Sequence, residues 1–176
     1  MSGLPSWAQV TPKRREHIER VVTLVESWAE AMGVSPAEKS RWARAAWLHD
    51  ALKDAPVEQL APFAPAGWTE PALFHGPAAA ARAAKDGEKD QGVLDAAKYH
   101  SVGYVGWDSA GRMLYLADYL EPGRRARREQ KAAFAVRVPT EPEKVLHEIV
   151  TERLGRSDIR QLPESAAFWK SIVRND

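Results

Sequence analysis

Four of the five histidines in this 176-residue chain fall where an imidazole would point into a folded interior. His17 shares one helical face with Val21, Leu24 and Trp28, and His49 lies among Trp42, Ala45, Ala46 and Leu52. His100 shares a face with Val93 and Ala97, and His75 stands just before Gly76-Pro77, at the mouth of an alanine-rich helix. Taken singly, each is ordinarily a satisfied core or cap residue. Two carboxylates sit in equally apolar runs: Asp50 in WLHDALKD and Asp118 in MLYLADYLEPGR. Burying an ionised carboxylate without a partner costs more than one neighbouring side chain usually returns. A divalent cation is the partner that removes this cost. Imidazole and carboxylate are ligands for zinc, iron and manganese, and the chain has no cysteine, so its site would be all nitrogen and oxygen.

These ligands must come from separate helices that meet at one point. β-Branched residues are few and alanine is abundant, so the fold class expected is all-α. Thr11-Pro12 opens a first helix that stops near Gly33, and Ser35-Pro-Ala-Glu38 is a capping box that opens a second, expected to run to about Pro56. APFAPAGWTEP reads as loop, Pro77 begins the alanine-rich helix, and helices follow at about Asp90–Ser101 and Ser109–Glu121. The three glycines of GYVGWDSAG match no phosphate-binding fingerprint. The tail carries further helices in RRARREQKAAF, EPEKVLHEIVTERL and PESAAFWKSIV. His49 and Asp50 are adjacent and diverge by about 100° on a helix, so both serve one site only if that helix lies along it.

With 25 Lys+Arg against 24 Asp+Glu, the formal charge is +1, which argues against nucleic acid or a membrane surface as partner. No secretory leader and no run of about 18 apolar residues is present, so a cytoplasmic location is expected.

In order, His17, His49-Asp50, His75, His100 and Asp118 resemble the HD-domain metal-dependent phosphohydrolases, in the version with two additional histidines that supports two metal ions. WLHDALKD is similar to the family's histidine-aspartate helix with its lysine three residues on, and HGP to its following histidine turn. KYHSVG and LADYLEPGRR resemble one branch, the bacterial symmetrical diadenosine tetraphosphatases. The likeness spans roughly residues 11 to 125 and fades in the tail, beginning with the basic stretch 124–131.

The resemblance implies an HD-domain helical bundle, with the chain (1–176) as a single domain. It implies a first metal held by His17, His49, Asp50 and Asp118, and a second held by His75 and His100, with Asp50 bridging. The two divalent ions it implies are iron, with manganese or zinc as alternatives. They would lower the pKa of a shared water and clamp phosphate oxygens for in-line attack. The activity implied is symmetrical hydrolysis of a dinucleoside polyphosphate, diadenosine tetraphosphate, to two ADP. Lys53 would touch a phosphate or orient Asp50, and both are the expected catalytic residues. Arg124 and the loop after His100, at Ser101 and Gly103, would contact phosphate. Trp107 is expected to cover the core, His147 to be structural, and Arg125, Arg127 and Arg128 to form a solvated face. The same chemistry admits other phosphate esters, such as nucleoside mono- and triphosphates, as the alternative reading. A nucleotide-binding module without catalysis is disfavoured because the ligand series is intact.

Overall fold

The computed structural model describes residues 3–124, 126–154 and 162–173, and Arg125 lies outside them. Among the described residues the chain is all-α, as its periodicity requires. Its helices are α1 (Pro12–Ala31), α2 (Pro36–Leu48), α3 (Val57–Leu60), α4 (His75–Lys85), α5 (Gln91–Tyr99), α6 (Ser109–Leu120), α7 (Arg128–Arg137), α8 (Pro142–Leu154) and α9 (Pro163–Val173). No helix among the described residues is long and apolar enough to cross a membrane.

The starts follow the expected chemistry. Thr11 Oγ1 accepts from the Arg14 amide at 3.3 Å, and Ser35 Oγ from the Glu38 amide at 3.2 Å. The capping box is only half made, because Glu38 turns its carboxylate to Trp42 Nε1 (2.8 Å) and Arg41 Nη1 (2.8 Å). Asp90 and Asp108 cap α5 and α6, and Arg41 of α2 pairs with both carboxylates, tying three helices together at one end.

The main departure from expectation is the end of α2. The helix stops at Leu48, and residues 49–55 form successive tight turns instead of continuing to Pro56. The cause is long-range: the Ala51 carbonyl accepts from the Gln9 amide (2.8 Å), and the Asp54 amide donates to the Gln9 carbonyl (3.2 Å). Asp54 then accepts from the Thr11 amide (2.7 Å) and hydroxyl (2.9 Å). Backbone groups that would have continued the helical ladder are spent on the segment leading into α1. Two smaller differences are that α4 begins at His75, before Pro77, and that the expected loop 61–71 opens on a 3-10 turn (Ala61–Phe63) and ends in another (Pro71–Leu73), with α3 just before it.

α6 lies at the centre, burying Leu114, Leu116, Ala117 and Leu120 against Ile18 and Val21 of α1, Ala45 and Leu48 of α2, and Val93 and Ala97 of α5. The tail joins the same core through Leu146, Ile149 and Phe168. Phe168 packs edge-on to Trp107 (5.2 Å) and Tyr115 (5.5 Å), so Trp107 covers the core as expected. Phe168 also fills the space over Gly103, whose φ is +88° and whose added Cβ would stand 2.3 Å from the Phe168 ring. Gly103→Ala therefore combines a left-handed backbone with a clash, and should lower stability by about 1–3 kcal/mol in urea denaturation. An unchanged midpoint would show that α9 yields freely.

Candidate metal centre

Asp50 stands between two histidine pairs, and each of its carboxylate oxygens faces one of them. Oδ1 lies 3.0 Å from His75 Nε2 and 3.4 Å from His100 Nε2. Oδ2 lies 3.5 Å from His49 Nε2 and 3.6 Å from His17 Nε2. All five residues are buried. His49 follows directly on α2 with helical dihedrals (φ −53°, ψ −43°), and it and Asp50 reach one centre from the C-terminal end of that helix. His17 comes from the first turns of α1, His75 from the start of α4, and His100 caps α5. α4 and α5 approach closely because Gly76 has no side chain: a Cβ there would meet the Lys98 carbonyl at 2.7 Å.

The hydrogen bonds on the far side of the rings decide what the near side can do. His49 Nδ1 lies 2.7 Å from the Ala46 carbonyl and His100 Nδ1 2.8 Å from the Ala97 carbonyl. A carbonyl only accepts, so Nδ1 donates there and Nε2 is the nitrogen that faces the centre. His17 Nδ1 meets a carboxylate in the same way, Glu121 Oε1 at 3.3 Å. Burial drives His75 down to about 4, so its ring is neutral near pH 7. Nε2 atoms therefore converge, at 3.4 Å between His17 and His49 and 3.1 Å between His75 and His100. Asp50 Oδ1 is fully buried and has no aligned hydrogen-bond donor. Burial opposes ionisation of Asp50, but the surrounding imidazoles outweigh it and hold the carboxyl well below its usual range. Converging imidazole nitrogens around a buried carboxylate fit divalent cations, and two triads can hold them: His17, His49 and Asp50, and Asp50, His75 and His100.

Asp118 does face this centre, with Oδ1 3.1 Å from His17 Nε2, but it stands at the rim of the first triad and outside its tight cluster. Burial raises its pKa, and Arg124, paired with Oδ1, together with His17, more than reverses that. Arg124 also donates from Nε to the Asp118 carbonyl at 2.6 Å. Two further residues belong to the site. Arg14 Nη1 binds Asp50 Oδ2 at 2.7 Å, and its place three residues before His17, on the same helical face, was the available signal. Glu121 holds His17 from behind, fixed in turn by Arg20 Nε (2.7 Å) and the Gly123 amide (2.8 Å). Nothing in spacing pointed to it.

The centre opens into a cavity of about 270 Å³, whose wall includes Lys53, Ser101, Asp118 and Arg124. Lys53 is half-buried and lies 3.3 Å from His75 Nε2, with its pKa lowered by burial. Ser101 Oγ is 3.0 Å from His100 Nε2. Gly103 is buried off this wall and donates its amide to the Tyr99 carbonyl (2.8 Å), so it shapes the loop instead of offering that N–H to a phosphate. Arg127 and Arg128 are exposed, and His147 is half-buried on α8.

The sequence matches the HD domain over residues 14–123, a span containing every residue of both triads. The chain belongs to the HD-domain family. HD domains bind divalent metals, and both triads lie within the matched span. It is 32% identical over 124 residues, 66% of its length, to the symmetrical bis(5'-nucleosyl)-tetraphosphatase of Bacillus subtilis (strain 168), and the match spans 65% of that relative. The HD fold is shared with a Clostridium acetobutylicum protein described as an HD superfamily hydrolase involved in NAD metabolism. There the TM-score is 0.81 at 20% identity, covering 95% of this chain and 92% of that one.

Proposed function

We propose that the chain hydrolyses diadenosine tetraphosphate symmetrically to two ADP at a centre of two divalent ions bridged by Asp50. The observation that carries the two-ion reading is the division of Asp50, one oxygen to each histidine pair. The substrate reading draws on the likeness to a symmetrical bis(5'-nucleosyl)-tetraphosphatase. His17, His49, Asp50 and Asp118 would hold one ion, and Asp50, His75 and His100 the other. Bound ions would acidify a water and neutralise phosphate charge, which is most of what phosphoryl transfer requires. Iron is the expected metal, and manganese and zinc suit the same ligands.

The chain's own groups do the rest. Nδ1 hydrogen bonds to backbone carbonyls fix the His49 and His100 rings with Nε2 facing inward. Arg14 and Arg124 present guanidinium groups beside Asp50 and Asp118, where a phosphate entering the cavity would meet them. Lys53 adds a third positive group, and Ser101 a hydroxyl. Product chromatography after incubation with diadenosine tetraphosphate tests the reading. ADP as sole product supports it, whereas ATP plus AMP, or turnover of mononucleotides alone, sinks it.

Lys53→Met should lower kcat about 10- to 100-fold, the loss of one hydrogen bond to a charged group, with metal content retained. A full rate would reduce Lys53 to a packing residue.

Glu121 carries a pH signature. Burial alone would raise its pKa, but His17, Arg20 and the Gly123 amide bring it down to about 2. The folded pKa lies below the ordinary 4.5, so the folded state binds fewer protons there. Its stabilisation is whole above about pH 4.5 and drains away as pH falls toward 2. Urea midpoints of chelator-treated protein should drop over that window, and Glu121→Gln should flatten the drop. Parallel curves for both proteins would assign acid sensitivity elsewhere.

A further inference from the structure

The wall of the cavity extends past the metal centre along α6. Tyr115 lies one turn before Asp118 and Tyr119 on the same face, so it stands about 5 Å farther along the helix axis. Over these two phenols lies Arg153, supplied by α8, which is outside the HD match. Its guanidinium carbon is 5.4 Å from the Tyr115 ring centre and 5.6 Å from that of Tyr119, and Nη1 donates to the Tyr115 hydroxyl at 2.6 Å. Among the described residues no carboxylate forms an ion pair with it, whereas Arg14 and Arg124 each sit on one. Aromatic faces orient a guanidinium without neutralising it, so a positive fork remains for an anion.

We propose that Arg153 is a specificity-determining residue that binds a phosphate beyond the one at the metals, so that preference for a longer phosphate chain is supplied by α8. This rests on the phosphohydrolase reading of the centre, and on no particular substrate. Lys53 and Arg124 line the same cavity, so its wall carries further positive groups. A substrate with one phosphate would engage its near end alone. A chain of several phosphates would span both ends.

The test is calorimetric binding of AMP and of β,γ-methylene ATP, a triphosphate whose terminal bridge resists hydrolysis, to the manganese-loaded full chain. Wild type should prefer the triphosphate, and Arg153→Met should shrink that preference about 10- to 100-fold, the worth of one hydrogen bond to a charged group. Arg153→Lys should restore part of it, and Tyr115→Phe, which removes the hydroxyl holding Nη1, should give a smaller shift in the same direction. Melting temperature and metal content of each variant are read alongside. An unchanged preference in Arg153→Met overturns the proposal, as does an equal loss for both ligands, or a wild type without preference. Because the readout is relative affinity, failure to cleave diadenosine tetraphosphate would leave this result standing and sink only the substrate reading.

Discussion

Asp50→Ala is expected to strip both ions from the chain and to lower turnover by at least about a thousandfold. Each triad contains one Asp50 oxygen, so one truncation removes a ligand from both. Metal charge stabilisation is worth several kcal/mol, and each 1.36 kcal/mol is tenfold in rate. What remains in the variant is four imidazoles whose Nε2 atoms face one another, and Asp118, the carboxylate at the rim, is already paired with Arg124. Asp50→Asn is the sharper control, since it keeps the volume and removes the charge. Elemental analysis and rate together decide the matter: near-zero metal with near-zero rate is the expected pair. Retained metal at two ions per chain would show that Asp50 is held by Arg14 for structural reasons and bridges nothing.

Asp118→Asn should act on one side only. Asp118 touches His17 and no member of the second pair, so the variant should lose affinity for the ion at His17 and His49 while His75, His100 and Asp50 keep theirs. Metal content should fall from two ions toward one, and the rate by roughly a hundredfold or more, as for a displaced metal ligand sphere. Arg124 loses its carboxylate partner in the same variant, so KM should change as well. Unchanged stoichiometry and rate would mean that Asp118 exists to hold Arg124.

The histidines and acids were legible because ligand chemistry and helical faces are local properties. An imidazole on an apolar stripe points inward whatever the rest of the chain does, and His17, His49 and His100 show it. The all-α class and the first two helix starts were legible for the same reason, through Thr11 and Ser35 as caps. The end of α2 was not, because it is set by Gln9, some 40 residues away, capturing the Ala51 carbonyl and the Asp54 amide. Glu121 was hidden in plain view within LADYLEPGR. Its role depends on the reversal at Pro122-Gly123, which returns the Gly123 amide to its carboxylate, and on Arg20 from α1. Gly103 read as a phosphate contact because it follows His100, but the tight turn to Tyr99 consumes its amide. Arg153 carries no local signal, since only the packing of α8 against α6 brings it to Tyr115.

Manganese titration followed by electron paramagnetic resonance tests the central claim most directly, namely that two ions share Asp50. Two manganese ions per chain whose signals are magnetically coupled, with little isolated six-line spectrum at saturation, is the expected result. One ion per chain, or two that give independent mononuclear spectra, would contradict it.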